Sequence, residues 1–186
     1  MAYAVRLHPS RWVRALSGIS GAGYALPGVV LGVGLLSVVG AIDHTLSAGT
    51  SRLLVGGTAF AVVYAYCVRF FAVAQQGLDA SLKRISPAMD SSARTLGAGP
   101  FEVLRRVHWP LLKPSVASAS LLVFVYSLKE LPATLVLRPF NFDTLAVVAY
   151  QFAADERLVE AAMPSLVIVL VGLLPVSILA SGLRRR

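Results

Sequence analysis

The chain has few charged residues and almost no cysteine. Only 14% of its 186 residues are charged, whereas a typical soluble domain has about 25%. Hydrophobic residues make up 56%, and the mean hydropathy is +0.73, which indicates a protein that has lipid as its solvent. The single cysteine, Cys67, excludes a disulfide framework or a thiolate metal cluster within the chain. We interpret Cys67 as inert packing.

Acidic residues are also scarce, at 9 against 17 Lys and Arg, and the net charge is +8. A basic chain suggests nucleic acid as a partner. These charges, however, stand in short clusters beside apolar runs, so we predict no nucleic-acid partner. The amino terminus has no short apolar segment followed by a cleavage site, and we predict no cleaved signal peptide. Internal repeats are not evident, and residues 1–186 form one predicted membrane unit.

Four stretches are apolar and long enough to cross about 30 Å of hydrocarbon at about 1.5 Å per residue. The second stretch contains Arg69 as its only charged residue, and the third is interrupted by Lys129, Glu130 and Pro132. We therefore predict an all-α membrane protein with four transmembrane helices, and a re-entrant third segment is the alternative. The predicted spans are residues 23–42, 53–78, 114–137 and 161–183.

The orientation of the spans follows from the distribution of Lys and Arg. Twelve of these residues lie in segments 1–22, 79–113 and 184–186, and four lie in the other connections. The bias predicts that both termini and segment 79–113 face the cytoplasm of a multi-pass protein of the inner membrane. The four on the opposite side are Arg52, Lys129, Arg138 and Arg157.

Residues 84–113 form a polar loop between two spans, and its middle reads "MDSSARTLGAGPFEVLRRVHWP". Ser86-Pro87 is a helix start signal, and Gly97 suits a left-handed helix end. Gly99-Pro100 predicts the start of a second short helix, which Trp109-Pro110 would end. A loop that lies at the membrane surface, with its arginines on lipid headgroups, is the alternative to a protein-docking element.

The spacing in this loop resembles a known motif. Gly97, nine further residues and then Val107-x-Trp109-Pro110 are similar to the E-A-A-x-x-x-G, nine residues, I-x-L-P pattern of permeases in binding-protein-dependent ABC importers. The segments "RLHPSRWVRAL", "GYALPG", "LKELPATLVLRPFNFDTLA" and "EAAMPSLVIVLVGLLPV" resemble the ferric iron importers among them. Essentially the whole chain resembles the last four spans of the second permease half, so it is a fragment, a truncated reading frame, or a subunit that assembles with other chains.

The resemblance implies a type I importer permease fold in which the loop is the coupling helix region and docks on a separate ATPase subunit. No GxxxxGK[ST] phosphate loop occurs, so we predict that the chain is not itself an enzyme and holds no cofactor or metal. Other implied partners are a further permease half or chain, a periplasmic substrate-binding protein and membrane lipid. The residues that we expect to dock are Ser91, Ser92, Ala93, Leu96, Gly97, Phe101, Leu104, Val107 and Pro110.

One position departs from the family pattern, because Ser91 stands where the motif has an acid. The nearest carboxylate, Asp90, points about 100° away around the helix, so a contact that needs this carboxylate would be lost or redirected. The implied solute is ferric iron. Thiamine, a phosphonate or another small solute is the alternative within transport, and a non-transporting truncated scaffold is the alternative outside it.

Two charged residues inside the spans are candidates for the translocation path. Arg69 would either extend its side chain to the membrane interface or pair with a neighbouring residue. The alternative is that it takes part directly in the passage of the solute. Glu130 would either pair with a neighbouring span or cap a helix broken at Pro132, or it would line the path and attract a cation. The adjacent charges Lys129 and Glu130 are not expected to pair with each other.

Three further features receive structural interpretations. Gly28, Gly32 and Gly34 predict close contact between helices. His8, His44 and His108 are separated by topology and form no predicted ligand cluster. Residues 143–152 predict an amphipathic helix with Leu145, Val148 and Phe152 on one face, which either packs on the bundle or meets the binding protein.

Overall fold

The computed structural model describes residues 2–7, 10–46 and 55–184. The side chains of Leu7, Leu179 and residues 182–184 are not part of this description. The predictions made for His8, Arg52, Arg185 and Arg186, and for the start of the second span at residues 53–54, lie outside the described residues.

The described residues form helices and no strands, in keeping with the predicted all-α fold. Four segments are long and apolar enough to cross a membrane, and they are Gly28–Leu46, Ala59–Lys83, Pro100–Leu128 and Leu158–Ile178. The elements in chain order are α1 (Ala2–Leu7), α2 (Arg11–Ala25), α3 (Gly28–Leu46), α4 (Ala59–Lys83), α5 (Pro87–Thr95), α6 (Pro100–Val103), a π turn (Leu104–His108), α7 (Trp109–Leu128), α8 (Pro132–Leu137), α9 (Leu145–Ala154) and α10 (Leu158–Arg184).

The first apolar helix begins later than the sequence suggests. The predicted span starts at residue 23, but residues 23–25 belong to α2, and α3 begins at Gly28. Leu26 between them is extended, with φ −76° and ψ 137°. The ring of Pro27 disfavours the helical conformation for the residue before it, so the two helices cannot merge.

The third predicted span, residues 114–137, is two helices in the structure. α7 ends at Leu128, and α8 begins at Pro132. Because Pro132 has no N–H to donate to the carbonyl of Leu128, the helical ladder cannot continue through it, whereas proline is well suited to the first turn of a new helix. The predicted disturbance at Pro132 is thus a complete break.

The prediction that Trp109-Pro110 ends the second loop helix is wrong. α6, the π turn and α7 form one continuous helix from Pro100 to Leu128. In the π turn the N–H of Trp109 donates to the carbonyl of Leu104, five residues back. This wider turn immediately precedes Pro110, so its ring fits against a helix that is already locally expanded.

α4 is central, since it packs on α2 and α7, while α3 packs on α8 and α9 packs on α10. One core cluster joins α3, α4 and α8 through Leu31, Val39, Ala61, Val62, Ala65 and Leu137. A second, smaller cluster lies where α4 enters the loop, and it consists of Leu82, Ile85 and Leu112. The loop is therefore attached to the bundle through its own apolar contacts.

The predicted close helix contact is confirmed at two of the three glycines. A Cβ on Gly28 would lie 2.8 Å from Glu130 Oε1, and one on Gly32 would lie 3.0 Å from Val136 Cβ, so both let α3 approach α8. At Gly34 a Cβ would meet nothing within 4 Å among the described residues, so the chain makes no close helix contact there. Gly34 lies on a different side of the helix from the α8 contact.

Two smaller predictions are also corrected. α9 buries Ala146 and Val147, whereas Leu145 of the predicted face is 40% exposed. Nearly every residue of α9 is apolar, so its periodicity does not determine which side packs on α10. Cys67 is exposed on α4 and does not pack in the core. The apolar run around it offers the same polarity on its outward and inward sides, so sequence alone could not distinguish them.

Candidate functional site

Residues 84–113 contain a helix, a glycine turn and the start of a long helix. The Ser86 side chain accepts a hydrogen bond from the Ala88 N–H, and Pro87 is the first residue of α5. Gly97 has φ +84°, and its N–H donates to the Arg94 carbonyl at 2.9 Å. Both predicted helix signals are confirmed, because a left-handed residue without a Cβ allows the chain to turn sharply after α5.

The outer surface of this turn is apolar and open. Leu96 is 87% exposed, Phe101 is 74% exposed, and Met89 is 48% exposed. Most of the residues expected to dock are exposed, namely Ser91, Ser92, Leu96, Gly97, Phe101 and Pro110, while Ala93, Leu104 and Val107 are partly buried. We call the patch formed by Ala93, Leu96, Gly97 and Phe101 the docking face. Large apolar side chains in a polar loop are suited to insertion into a groove of another protein.

The inner side of α5 is held by an ionic cluster. Asp90 Oδ2 accepts from Arg6 Nε at 2.8 Å, and Asp90 Oδ1 accepts from His108 Nε2 at 2.6 Å. The side chains of Arg6 and Asp90 are 17% and 16% exposed, and that of His108 is fully buried. We call Arg6, Asp90 and His108 the loop anchor.

The charge of Asp90 is stabilised by its partners. Partial burial by itself would raise the pKa of this carboxyl, but the hydrogen bond from Arg6 and the electrostatic interactions with His108 and Arg6 lower it. The net effect is a pKa below the ordinary value of 3.8, so Asp90 is a carboxylate at neutral pH. The Asp90 side chain is directed toward Arg6 and His108, which bond one oxygen each.

Helix α1 closes the anchor from the amino-terminal side. The Tyr3 hydroxyl donates to the Pro100 carbonyl at 3.0 Å, and its ring lies 5.1 Å from that of His108. Burial raises the pKa of the Tyr3 hydroxyl, and the nearby Asp90 charge acts in the same direction. Tyr3 also packs on the apolar cluster at the end of α4. These contacts place residues 2–7 and the loop at the same end of the molecule.

A second ion pair lies within the apolar bundle. Arg69 Nε of α4 and Glu130 Oε2, between α7 and α8, are 3.1 Å apart, and their side chains are 17% and 8% exposed. Arg69 also donates to the Leu26 carbonyl at 2.9 Å, which lies at the end of α2. The structure therefore brings together both residues predicted for the translocation path, and it confirms that Glu130 pairs with a neighbouring helix.

Hydrogen bonds extend this pair into a network that fixes the α7–α8 break. The hydroxyl of Thr134 donates to the Glu130 carbonyl at 2.9 Å, and that of Tyr66 donates to the same carbonyl at 3.3 Å. The Ala133 N–H, in the first turn of α8, donates to Glu130 Oε1 at 3.4 Å. This carboxylate thus also caps a helix start, as the sequence suggested for a helix broken at Pro132. We call Arg69, Glu130 and these partners the bundle network.

Two other polar features lie elsewhere in the described part of the chain. Asp43 is 3% exposed and accepts from the N–H groups of Val55 and Gly56, at 2.7 and 2.8 Å. Gln75 is 7% exposed on α4 and hydrogen-bonds Ser17 of α2 beside a cavity of about 530 Å³. Within the described residues, no group of three or more His, Cys, Asp or Glu side chains is arranged to hold a metal ion.

Sequence reasoning missed the loop anchor. Asp90 was recognised only as a displaced acid, His108 only as a residue without a ligand cluster, and Arg6 only as one of the basic flanks. A carboxylate one position before the motif serine was the available signal, because adjacent side chains on a helix lie about 100° apart and Asp90 must therefore face a different side from Ser91. No local signal identifies Arg6, since it is 84 residues distant in the chain.

Comparison with known proteins identifies the family. The whole chain, residues 1–186, matches the model of the family described as "Binding-protein-dependent transport system inner membrane component". The chain belongs to this family, and its permease class agrees with the all-α architecture and the four apolar helices. The resemblance seen in the loop motif is thereby confirmed.

Similar permeases are named for different solutes. The chain is 34% identical over 122 residues to the Fe(3+)-transport system permease protein FbpB 2 of Haemophilus influenzae, which covers 66% of this chain and 24% of that protein. It is 31% identical over 150 residues to the putative 2-aminoethylphosphonate transport system permease protein PhnV of Salmonella typhimurium, covering 81% and 53%. With the putrescine transport system permease protein PotI of Escherichia coli it shares 26% over 106 residues, covering 57% and 36%.

The chain matches only part of the length of each of these relatives. The chain spans about a quarter of the first of these relatives and about half of the second. It is a multi-pass inner-membrane protein by family and by its four apolar helices.

Proposed function

We propose that the chain forms part of the membrane pathway of a binding-protein-dependent ABC importer and that residues 84–113 dock on a separate ATPase subunit. The docking face carries this proposal. It presents Leu96 and Phe101 to the outside on a turn whose inner side is bonded to the π turn and, through Arg6, to the end of α4. An apolar patch on a firmly held helical turn can bind a groove and pass its displacement to the attached helices.

The orientation that this proposal needs is supported by the charge distribution. Arg6 contacts the loop, so the amino-terminal segment and the loop lie at one end of the bundle, where the Lys and Arg residues are concentrated. The positive-inside rule places this end in the cytoplasm, together with both termini, and it places Arg138 outside. An ATPase that uses cytoplasmic ATP would meet the docking face there.

Cysteine labelling tests this orientation. Replacing Cys67 by Ala removes the single native thiol, and Leu96→Cys or Phe140→Cys then provides one exposed thiol at either end of α7. We expect a membrane-impermeant maleimide to label the Phe140→Cys variant in intact cells and the Leu96→Cys variant only after lysis. The reverse pattern would invert the proposed topology.

Co-purification tests the docking itself. The tagged chain is expressed with candidate ATPase and permease subunits, and the double variant Leu96→Asp, Phe101→Ser is compared with Phe140→Ser. Phe140 is 96% exposed and lies beyond the other end of α7, so it is a matched exposed aromatic residue. We expect the double variant to lose the ATPase and Phe140→Ser to retain it. Retention by both variants would contradict the assignment of the docking face.

Ferric iron is the solute that we propose, and its support is the resemblance to the relative named for Fe(3+) transport. A 2-aminoethylphosphonate system is the second candidate, because its permease relative matches a larger share of this chain. Uptake of iron, 2-aminoethylphosphonate and putrescine, measured in the same assembled transporter, distinguishes these solutes. An assembled complex that moves no solute would instead favour a non-transporting scaffold.

A place for Arg69 and Glu130 on the translocation path remains a second proposal. Its support is the location of two charges within apolar helices, where charged residues are costly and often functional. The double variant Arg69→Met, Glu130→Gln removes both charges at similar volume. If the pair lines the path, uptake falls while the complex still assembles. Normal uptake by an assembled double variant would leave the pair with a structural role alone.

A further inference from the structure

One arginine at the amino-terminal end of the chain joins three parts of the loop end. Arg6 Nε donates to Asp90 of α5, and its two terminal nitrogens donate to the carbonyls of Leu82 and Ile85. Those carbonyls lie in the last turn of α4 and just beyond it, where the i+4 donors of the helix interior are missing, and that of Leu82 also accepts from the Ile85 N–H. The positive charge of Arg6 therefore also stands at the negative end of the α4 dipole.

His108 completes the connection from the other side of Asp90. It is the last residue of the π turn and is fully buried, with its Nε2 on Asp90 Oδ1. A π turn contains an extra residue per turn, and such turns inside α-helices are frequent at functional sites. Here it directs an imidazole to the carboxylate, so that α5 is bonded to the helix that continues into α7.

We propose that Arg6 and His108 are positioning residues that act through Asp90 to fix α5, and with it the docking face, against the ends of α4 and α7. This inference rests on the proposed ATPase docking for its consequence in transport, but the anchor itself is a property of the chain. Displacement of a docked α5 is then transmitted directly to two membrane helices. Loss of the anchor leaves the docking face intact but loosely attached.

The geometry supports an internal role for Asp90 and not a direct contact with the ATPase. Both of its oxygens are occupied by partners within the chain, and its side chain is 16% exposed. The neighbouring Ser91 and Ser92 are exposed and carry no charge. The docking face therefore binds through apolar contacts, while the carboxylate determines where that face is held.

Hydrogen exchange of the full chain in lipid nanodiscs tests the anchor. Asp90→Asn and Arg6→Gln are compared with Glu102→Gln, which removes a carboxylate from the same loop whose ion pair with Arg106 is solvent-exposed. We expect amide exchange in residues 87–98 to rise about tenfold or more in the first two variants, because charge-assisted hydrogen bonds are lost. The double variant should show less than the sum of the two single effects, since both variants break the bond between Arg6 and Asp90.

A graded variant keeps the test informative if the neutral ones misfold. Arg6→Lys retains the positive charge but cannot reach all three acceptors with a planar fork, so its exchange should be intermediate. Unchanged exchange in Asp90→Asn, Arg6→Gln and Arg6→Lys would overturn the proposal.

The transport arm uses the assembled transporter and ferric iron as the probe. Asp90→Asn should retain the ATPase in co-purification, while iron taken up per ATP hydrolysed should fall several-fold, and Asp90→Glu should restore part of this ratio. Raised exchange with an unchanged ratio would overturn the positioning role. A wild-type chain that binds no ATPase would count against the proposed function, and the exchange result would then decide the anchor by itself.

Discussion

The bundle network and the loop anchor are built alike but lie in different surroundings. In each, one arginine pairs with a carboxylate of a distant segment and also donates to a carbonyl at the end of a helix, Leu26 for Arg69 and Leu82 for Arg6. The bundle network lies between apolar helices, whereas the loop anchor lies at the polar end of the molecule. The same construction therefore joins helices within the apolar bundle and holds the loop, with its proposed docking face, at the polar end.

These surroundings determine how much free energy of folding is lost when either ion pair is broken. A charge left alone within an apolar bundle has no water to replace its partner, and the penalty is several kcal/mol. A charge left alone at the loop end can be solvated after a small local opening. The bundle network should thus behave as a requirement for assembly, and the loop anchor as a determinant of local rigidity.

The largest effect is expected for Arg69→Ala. This change leaves the 8% exposed Glu130 carboxylate without its counter-charge, and we expect a loss of about 3–5 kcal/mol in folding free energy. The yield of monodisperse protein in detergent and its thermal midpoint measure this loss. Arg69→Met with Glu130→Gln is the matched control and should recover most of the stability. A single variant as stable as the wild type would mean that the pair is not effectively buried.

A smaller effect is expected at the glycine that admits the bundle network. In Gly28→Ala the new methyl group would lie 2.8 Å from Glu130 Oε1 and 3.2 Å from Pro132 Cβ, so the ion pair or α8 must shift. Overpacking of this kind costs about 1–3 kcal/mol. Gly34→Ala, on the same helix, has open space and should be neutral or slightly stabilising. Thermal midpoints that fall equally in both variants would contradict the close α3–α8 contact.

The loop anchor should respond to acidic pH. Because the pKa of Asp90 is lowered in the folded chain, its stabilising contribution is present above the ordinary value of 3.8 and is lost as the pH falls through the lower, folded value. In a Trp12→Phe background Trp109, next to His108, is the sole tryptophan. We expect its fluorescence to change as the pH falls below about 4.

Two variants assign this acid transition. Asp90→Asn should abolish it by removing the titrating group, while Glu102→Gln should preserve it, since that carboxylate lies on the exposed side of the helix. A transition that persists in Asp90→Asn would show that another group causes it.

The smallest effect is expected for the exposed pair of Arg106 and Glu102. Glu102 is at position i and Arg106 at i+4, and Glu102 Oε1 lies 3.1 Å from Arg106 Nη1. The side chain of Arg106 is 77% exposed and that of Glu102 is 43% exposed. Such pairs contribute about 0.3–0.5 kcal/mol and are screened by salt. Glu102→Gln should shift the thermal midpoint very little at low ionic strength and not at all at high salt. A shift as large as that of Arg69→Ala would remove the distinction between buried and exposed pairs.

Local features were predictable to the extent that local physics controls them. Ser86-Pro87 and Gly97 define the ends of α5 as expected, because caps and left-handed turns depend on neighbouring residues. The continuation of the helix through Trp109-Pro110 was not predictable in the same way, since it requires a π turn just before the proline. That turn is associated with the contact of His108 with Asp90, which belongs to the tertiary structure.

The candidate sites were predictable only as lists of unusual residues. Arg69 and Glu130 stood out as charges in apolar runs. Each was expected to pair with a neighbour, but the sequence did not identify the partner. The residues expected to dock were selected through their resemblance to a family motif, and the structure adds which of them are exposed. Arg6 and His108 were not recognised, because a basic residue in a basic terminus and a single histidine carry no local signal of their partner.

The sequence by itself determined that the protein is all-α, that it has four helices apolar enough to span a membrane, and that a capped polar loop separates two of them. These properties follow from hydropathy over about 20 residues and from the conformational limits of proline and glycine. Only the tertiary structure decided that Arg69 meets Glu130 and that Arg6 and His108 meet Asp90. Any cation can attract any carboxylate, so the partner is chosen by the packing of helices that are distant in the chain.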